Sequence, residues 1–154
     1  MRIDIDVPGE PVGMGSMRAI ARKRKDGSVF AQLIPSASGK HQKELMAWRK
    51  SLRKVLGPVK SPEAWQTTDV GLKVVLIFWL PRPKSSRIPY PSKKSSKDVD
   101  KLERPVLDEL TRAEVWKDDC QVVDIHAVKR WAEVKGRPVP TGVRIVITNM
   151  EEGA

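Results

Sequence analysis

Cysteine and long apolar runs are the two features that this 154-residue chain most clearly lacks. Its one cysteine, Cys120, excludes an internal disulfide and favours a reducing compartment. Because no stretch of about 18 apolar residues exists, we expect no transmembrane helix and no membrane partner. The first ten residues alternate between apolar and acidic types and contain no apolar signal core. We therefore expect a cytoplasmic protein.

Aromatic residues are scarce too, and no glycine-rich phosphate loop of the Walker type is present. Five Trp, two Phe and one Tyr are too few for a base-stacking platform of the RNA-recognition type. The missing loop argues against a nucleotide cofactor.

Positive charge is what the chain has in excess. It carries 29 Lys and Arg residues against 19 Asp and Glu, which gives a net charge of +10. A basic surface attracts polyanions, so we expect a nucleic-acid partner. Simple solubility, a ribosomal partner or a membrane surface would account for the same balance, so charge alone does not decide between them.

The first third of the chain predicts a strand and a basic hairpin. Residues 3–7 alternate apolar and acidic side chains, which is typical of a half-buried strand. Asp26-Gly27 is a hairpin turn signal, so residues 29–34 can return as a strand. The basic residues before that turn form either a solvated loop or a phosphate-contacting arm: Arg18, Arg22, Lys23, Arg24 and Lys25.

An amphipathic helix is predicted next, with Ser38 as its N-cap and Gly57-Pro58 after its last residue, Leu56. Its apolar stripe, which we expect in the core, contains Leu45, Trp48, Leu52 and Leu56. Its opposite face is basic and is either solvated or directed at a polyanion: Lys43, Arg49, Lys50, Arg53 and Lys54.

The middle of the chain predicts a central strand followed by a long loop. Residues 71–80 are apolar on both alternating faces, so we expect a strand covered by helices on both sides. Residues 81–97 are rich in Pro, Ser, Lys and Arg, which predicts a mobile basic loop. The candidates for contact with a nucleic acid are Arg18, Lys93, Lys94, Lys97 and Lys101.

The last third of the chain predicts one more helix and two strands. Leu102, Val106 and Leu110 mark a helix to about Arg112, and Pro105 should make its regular part begin or kink near Arg104. Residues 121–132 and 143–147 are predicted strands. The whole chain, residues 1–154, is predicted to be one α/β (α+β) domain with a single mixed sheet flanked by helices.

Four aspartates around the second helix carry the chemical signal. Asp98 and Asp100 point the same way if their segment is extended, and Asp118 and Asp119 precede the following strand. A helix that folds back would bring both pairs together. Clustered carboxylates repel one another, and Mg²⁺ converts such a cluster into an oxygen-rich site that can activate water for phosphodiester cleavage.

Each acidic pair also has an ordinary structural explanation. An Asp before a helix is a common N-cap, Asp-Asp is common in turns, and Asp100 with Glu103 would make a capping box. The combination of both pairs in a basic chain favours a metal site, with Lys101 and Arg104 as cations beside the phosphate.

The segment from Asp98 to Gln121 resembles the signature of the RusA family of Holliday-junction resolvases. That signature is Asp-x-Asp-Asn-Leu-x-Lys, then Asp-x-Leu, then Asp-Asp-x-Gln. The matching positions here are Asp98, Asp100, Leu102, Asp108, Leu110, Asp118, Asp119 and Gln121. Residues 7–11, Val-Pro-Gly-Glu-Pro, also resemble the opening strand and turn of the family.

This resemblance implies a homodimeric, RusA-like α/β enzyme that nicks two strands of a four-way DNA junction symmetrically with Mg²⁺ or Mn²⁺, in recombination and repair. The essential aspartates of the family correspond to Asp98, Asp100 and Asp119, which would bind the metal with support from Asp118. The essential lysine corresponds to Arg104, which would stabilise the transition state. Small resolvases of this kind are often carried by phages.

Two substitutions depart from the family pattern. Lys101 replaces the usual Asn and adds a cation beside the metal site. Arg104 replaces the usual Lys; it keeps the charge and can grip a phosphate, but it cannot donate its proton as a general acid. Two alternatives therefore stay open: a non-catalytic junction-binding protein, and a nuclease for other branched or single-stranded DNA.

Other polar or aromatic residues are given lesser roles. Asp124 could support the metal site from the strand, whereas His126 is expected to be structural. Cys120 has no partner for nucleophilic or zinc chemistry. Trp116 and Trp131 are expected in the core or in a dimer interface.

Overall fold

A mixed four-stranded sheet organises the fold in this computed structural model, which describes residues 1–15, 17–35 and 39–150. The strands are β1 (Arg2–Pro8), β2 (Met17–Lys23), β3 (Val29–Pro35), β4 (Leu72–Leu80), β5 (Val122–Trp131), β6 (Glu133–Val134), β7 (Arg137–Pro138) and β8 (Gly142–Asn149). The helices are α1 (Gly39–Leu56) and α2 (Val99–Arg112), with 3-10 turns at Glu63–Gln66, Lys94–Ser96 and Asp119–Gln121.

The main sheet has the order β1-β8-β4-β5. The pairs β1–β8 and β8–β4 are antiparallel, and β4–β5 is parallel. A parallel pair needs a long crossover, and residues 81–121 with α2 provide it. The predicted mixed sheet is confirmed, and β5 forms one edge of it.

The core lies on one face of the sheet. Alternate β4 residues from Leu72 to Leu80 are buried, and so are their partners Val143, Ile145 and Ile147 on β8. The helices pack there: Leu52 of α1 and Leu110 of α2 belong to the same apolar cluster.

The prediction that β4 is central is confirmed, but the prediction that helices cover both of its faces is wrong. Val75, Ile77 and Trp79 on the opposite face are only half-buried. Ion pairs surround them, with Arg144 lying 2.8 Å from Asp4 on that face. The apolar sequence of β4 does not distinguish the two cases, because half-buried and fully buried strand positions are occupied by the same residue types.

Helix α1 matches its prediction closely. It runs from Gly39 to Leu56, and the predicted stripe of Leu45, Trp48, Leu52 and Leu56 is buried. The predicted N-cap, Ser38, lies outside the described residues.

Helix α2 begins earlier than predicted. It starts at Val99 rather than at about Leu102, and its regular part does not wait until Arg104, although Pro105 lies inside it. Proline has no N–H to bond the carbonyl oxygen four residues earlier, which here is that of Lys101. The Met14 backbone N–H donates to that oxygen instead, at 2.9 Å. Helix α2 therefore tolerates Pro105 because a segment distant in the sequence supplies the missing donor. The sequence of the helix alone does not reveal this contact.

The predicted basic hairpin is confirmed as an antiparallel ribbon of β2 and β3. Its turn has Gly27 at a φ of +88°, and the Asp26 carboxylate accepts a hydrogen bond from the Ser28 backbone N–H at 2.9 Å. The ribbon pairs with no other strand of the described chain. It therefore extends from the domain as an arm with Arg18 and Arg22 exposed on it.

Residues 81–97 pack against the end of β5. The Trp131 indole N–H donates to the Ile88 carbonyl oxygen at 2.8 Å, and the Lys129 ammonium donates to the Lys97 carbonyl oxygen. Pro91 and Ser96 are buried. The mobility of this segment stays a prediction.

Neither helix of the described chain combines the length and the apolar character that crossing a bilayer requires.

Candidate functional site

Asp98 and Asp100 lie at the N-terminal end of α2. Asp98 is the N-cap residue, but its side chain makes no capping hydrogen bond. Its carboxylate instead lies 2.9 Å from the Lys101 ammonium, and it is exposed. This hydrogen bond and the charges of Lys101, Lys129 and Lys94 hold the pKa of Asp98 below its ordinary value. Asp98 is therefore an ionised, accessible carboxylate surrounded by cations.

Asp118 and Asp119 lie where the 3-10 turn leads into β5. Asp118 caps that turn by accepting from the Cys120 backbone N–H at 2.8 Å. The buried Gln121 completes a capping box: its side-chain oxygen accepts hydrogen bonds from the backbone N–H groups of Lys117 and Asp118 at 2.9 and 3.0 Å. The structural explanation of this acidic pair as a turn therefore holds for Asp118.

Gln121 anchors this turn to the rest of the domain. Its side-chain amide donates to the carbonyl oxygens of Trp65 and Val70, at 3.2 and 3.3 Å.

We expect Gln121→Ala to lower the free energy of unfolding by about 2 kcal/mol, because it leaves buried polar groups unpaired. Urea unfolding measures this; the exposed Gln32→Ala, which removes one hydrogen bond with Arg22, is the control and should change it little.

Asp119 differs from Asp118 in its electrostatics. Partial burial, the hydrogen bond with Asp118 and the charges of Asp118 and Asp108 raise the pKa of Asp119. The backbone hydrogen bond from Cys120 lowers the pKa of Asp118. A bound divalent cation would relieve the repulsion among these carboxylates. Carboxylate oxygens are also the hard donors that Mg²⁺ prefers.

The structure does not bring all four predicted metal-binding aspartates together. Asp119 neighbours Asp108, which is ten residues after Asp98 in the helix. That separation is about 15 Å at about 1.5 Å per residue. Among the described residues of one chain, no three Asp, Glu, His or Cys side chains are placed to hold a metal ion. The oxygen donors of these carboxylates fit Mg²⁺.

The predicted DNA-binding residues lie in different places. Arg18 is on the ribbon, and Lys93 and Lys94 are exposed around the second 3-10 turn. Lys97 donates to the Pro11 carbonyl oxygen at 2.6 Å, so it also ties its segment to the N-terminal region. Lys101 is paired with Asp98. Their contact with DNA stays a prediction.

A buried ion-pair cluster beside the site was not predicted. The Glu109 carboxylate is fully buried and accepts hydrogen bonds from Arg49 Nε at 2.7 Å and Arg53 Nε at 2.8 Å. Arg49 also lies 3.6 Å from Asp108. The helical pattern of α1 predicts both arginines on a solvated or polyanion-directed face. The sequence does contain one signal of this cluster: Glu109 is an acidic residue within the apolar stripe of α2.

The candidates with lesser predicted roles lie on β5 or close to it in the sequence. Asp124 pairs with Lys73 at 3.1 Å, and His126 is exposed on β5. The hydrogen bond with Asp118 raises the pKa of the Cys120 thiol, which agrees with its having no nucleophilic role. Trp116 and Trp131 are buried, which confirms the core prediction.

Residues 8–145 match the family described as Endodeoxyribonuclease RusA. The chain is similar to proteins named crossover junction endodeoxyribonuclease RusA from Escherichia coli K12 and from Enterobacteria phage 82. It is 40% identical to each of them over 57 residues, which is 37% of this chain and 42% of each relative. The alignment thus spans about two fifths of the curated relatives.

Proposed function

Because this chain belongs to the RusA family of endodeoxyribonucleases, we propose that it cuts four-way DNA junctions by paired nicks that depend on a divalent cation. The observation that carries the proposal is the family match over most of the chain, which includes the whole segment from Asp98 to Gln121. A net charge of +10 supports a polyanionic substrate. Two symmetric cuts need two sites related by a two-fold axis, so the active form is a homodimer.

Asp98, Asp100 and Asp119 would hold the cation, and Asp118 would orient Asp119 through the capped turn. Bound there, Mg²⁺ or Mn²⁺ would supply Lewis-acid stabilisation of the phosphate and a more acidic water. Arg104 is exposed one helical turn after Asp100, so its guanidinium can approach a phosphate bound at this end of α2. Its charge stabilises the extra negative charge that develops on the phosphate in the transition state.

The basic ribbon and residues 81–97 would contact the arms of the junction. Arg18 and Lys94 are exposed on these two segments. Contacts of this kind with phosphates position a duplex without reading its sequence. We therefore expect binding that selects the branched shape and weakens as salt is raised.

The direct test compares a synthetic four-way junction with a linear duplex of the same sequence, each with Mg²⁺ and each with EDTA. We expect paired nicks near the branch point of the junction only, and only with the cation. Equal cutting of junction and duplex would overturn the junction proposal. A panel of flaps, forks and single strands distinguishes a nuclease for other branched or single-stranded DNA.

Arg104→Ala should reduce junction cleavage on the order of 100-fold while junction binding changes little, because the side chain acts mainly in the transition state. Arg104→Lys should recover most of the rate if charge is what matters. The matched control is Arg112→Ala, an exposed arginine in the last turn of the same helix. Equal losses in Arg104→Ala and Arg112→Ala would mean that only general charge was removed.

One observation favours a second candidate function, a junction-binding protein without nuclease activity. The Lys101 ammonium lies 2.9 Å from Asp98 and competes with a cation for that carboxylate. This candidate predicts tight junction binding with no cleavage in Mg²⁺ or Mn²⁺. Lys101→Asn, which restores the usual family residue, should then produce cleavage where the unmodified protein has none.

A further inference from the structure

We propose that a basic cleft beside Asp98 binds one unpaired nucleotide of a branched DNA. The base of that nucleotide stacks on Tyr90, and its phosphate lies against Arg130 and Lys135. The inference rests on the proposed function, because a branched DNA is what supplies the unpaired nucleotide. It adds a binding site outside the carboxylates and a physical reason for preferring a branched substrate to a duplex.

The cleft lies at the carboxyl end of β5 and has a volume of about 440 Å³. It is lined by residues 128–131 of β5, by residues near the turn between β6 and β7, and by Pro89 and Tyr90 from the crossover. Pockets that enclose small organic ligands have volumes of about 300–1000 Å³. The cleft therefore has room for one nucleotide.

Tyr90 provides an aromatic surface for a base. Its side chain is 70% exposed, whereas the other aromatic side chains, five Trp and two Phe, are buried or half-buried. Its hydroxyl has no hydrogen-bond partner in the part of the chain that the structure describes. Proteins that bind single strands stack bases on exposed aromatic side chains of this kind. One tyrosine is too little for a stacking platform, but it is enough for one base.

Uncompensated positive charge provides the contact with a phosphate. Arg130 and Lys135 are exposed at the cleft, and neither forms an ion pair with a carboxylate of residues 1–15, 17–35 and 39–150. Glu133 is the one carboxylate among the described residues that line the cleft, and it is already paired with Arg82. A DNA phosphate is an anion that can compensate for these cations.

The turn between β6 and β7 places Lys135 at an unusual backbone conformation. Lys135 and Gly136 have φ values of +49° and +75°, as in a two-residue hairpin turn of type I′. Glycine, asparagine or aspartate usually occupies the first of these positions, and a lysine in the left-handed region costs free energy. Such a cost is typical of residues whose side chains take part in binding.

Lys129 connects the cleft with the carboxylates at the start of α2. It lines the cleft, and its ammonium donates to the Lys97 carbonyl oxygen and to Ser96 Oγ, the latter at 3.3 Å. Ser96 and Lys97 are the two residues that immediately precede Asp98. A nucleotide in the cleft and a phosphate at Asp98 can therefore belong to neighbouring positions of one DNA strand.

Only an unpaired base can use the cleft. In a duplex each base is stacked on both faces and paired along its edge, so its face is not available to Tyr90. Moving a base out of the stack costs least where pairing or stacking is already interrupted, and the branch point of a junction is such a place. The cleft therefore favours a branch point over a duplex of the same charge.

The test is photo-cross-linking in EDTA, which requires binding but no cleavage. A synthetic four-way junction carries 5-iododeoxyuridine at one position near the branch point at a time, and mass spectrometry identifies the cross-linked residue. We expect a cross-link to Tyr90 from a position at the branch point, and none from a linear duplex with the same modified base. No cross-link to Tyr90 from any position, or an equal yield from the duplex, overturns the inference.

Junction affinity in EDTA gives a second measurement. Tyr90→Ala should raise the Kd about tenfold, as expected for the loss of one stacked base. Tyr90→Phe keeps the ring and should change the Kd little. Met46→Ala is the matched control, since Met46 is 56% exposed on α1. Equal affinities of Tyr90→Ala and Met46→Ala would exclude stacking on Tyr90.

The salt dependence of junction binding tests the phosphate contact. Lys135→Ala should reduce the slope of the logarithm of affinity against the logarithm of salt concentration by about one. Lys60→Ala is the matched control, because Lys60 is exposed in the connection that follows α1, and it should leave the slope unchanged. The same slope in both variants would exclude a phosphate at Lys135.

The inference and the proposed function fail in different ways. A protein that cuts the junction but gives no cross-link at Tyr90 refutes the nucleotide cleft and retains the nuclease. A protein that gives the cross-link but cuts no junction retains the cleft and refutes the nuclease.

Discussion

Asp119→Asn should reduce cleavage of a four-way junction on the order of 1000-fold, because the proposed metal site loses one of its carboxylates. Asn has nearly the same shape, and the Asp119 side chain is exposed, so the fold should not change. The change also removes the repulsion from Asp118 and Asp108 that raises the pKa of Asp119. We therefore expect the variant to be at least as stable as the unmodified protein, which separates lost chemistry from lost folding.

The measurement is the single-turnover rate on a labelled junction, together with junction affinity in EDTA. Asp6→Asn is the matched control, since Asp6 is exposed on β1 at the opposite edge of the sheet. It makes the same change of charge and should cut normally. Cleavage that survives Asp119→Asn would remove Asp119 from the site and take away the main support for a carboxylate-bound metal.

Glu109→Ala should cause the largest loss of stability of any single substitution considered, about 3 kcal/mol. It removes a fully buried carboxylate and leaves Arg49, which is 16% exposed, without its principal partner. Arg53 is 40% exposed, so water can solvate its guanidinium once Glu109 is gone. The expected loss of stability is therefore at the low end of the range for breaking a buried ion pair. Urea unfolding of both proteins at neutral pH gives the difference in the free energy of unfolding.

Glu44→Ala is the control for Glu109→Ala. Glu44 pairs with Lys40 at 4.0 Å on the surface of α1, and its removal should cost well under about 1 kcal/mol. Equal effects of the two substitutions would show that the buried cluster contributes no more than a surface ion pair.

The contribution of Glu109 should depend on pH. Burial alone would raise its pKa, but hydrogen bonds from Arg53 and Arg49 hold the pKa below its ordinary value. A carboxyl with a lowered folded-state pKa stabilises the fold above its unfolded-state pKa, and this stabilisation is lost as the pH falls through the folded-state value. The stability curves of the unmodified protein and Glu109→Ala should therefore converge in acid and separate toward neutral pH.

Much of the fold follows from local patterns. The period of the apolar residues identified β1, α1 and β8, and Asp26-Gly27 identified the ribbon turn. These elements were predictable because each depends on residues close together in the sequence. The start of α2 was not, because the oxygen that Pro105 leaves unbonded is satisfied by Met14, far away in the chain.

The candidate site was predictable in composition but not in assembly. Asp98, Asp100, Asp118 and Asp119 were identified from their spacing and from the family resemblance. The fold-back of α2 was expected to join the two pairs, whereas Asp119 neighbours Asp108, ten residues after Asp98. Spacing along a chain does not show which part of a helix a following turn packs against.

The order of strands in the sheet also has a consequence for folding. Within residues 1–15, 17–35 and 39–150, β1 pairs only with β8, and Arg2 lies opposite Thr148. During synthesis the first strand must therefore wait until residues 142–149 have left the ribosome. Until then β1 and one edge of the buried strand β4 have unpaired backbone groups, which are prone to aggregation. Contacts so distant in sequence also make refolding slow, so the yield of native protein should depend on temperature and on the rate of synthesis.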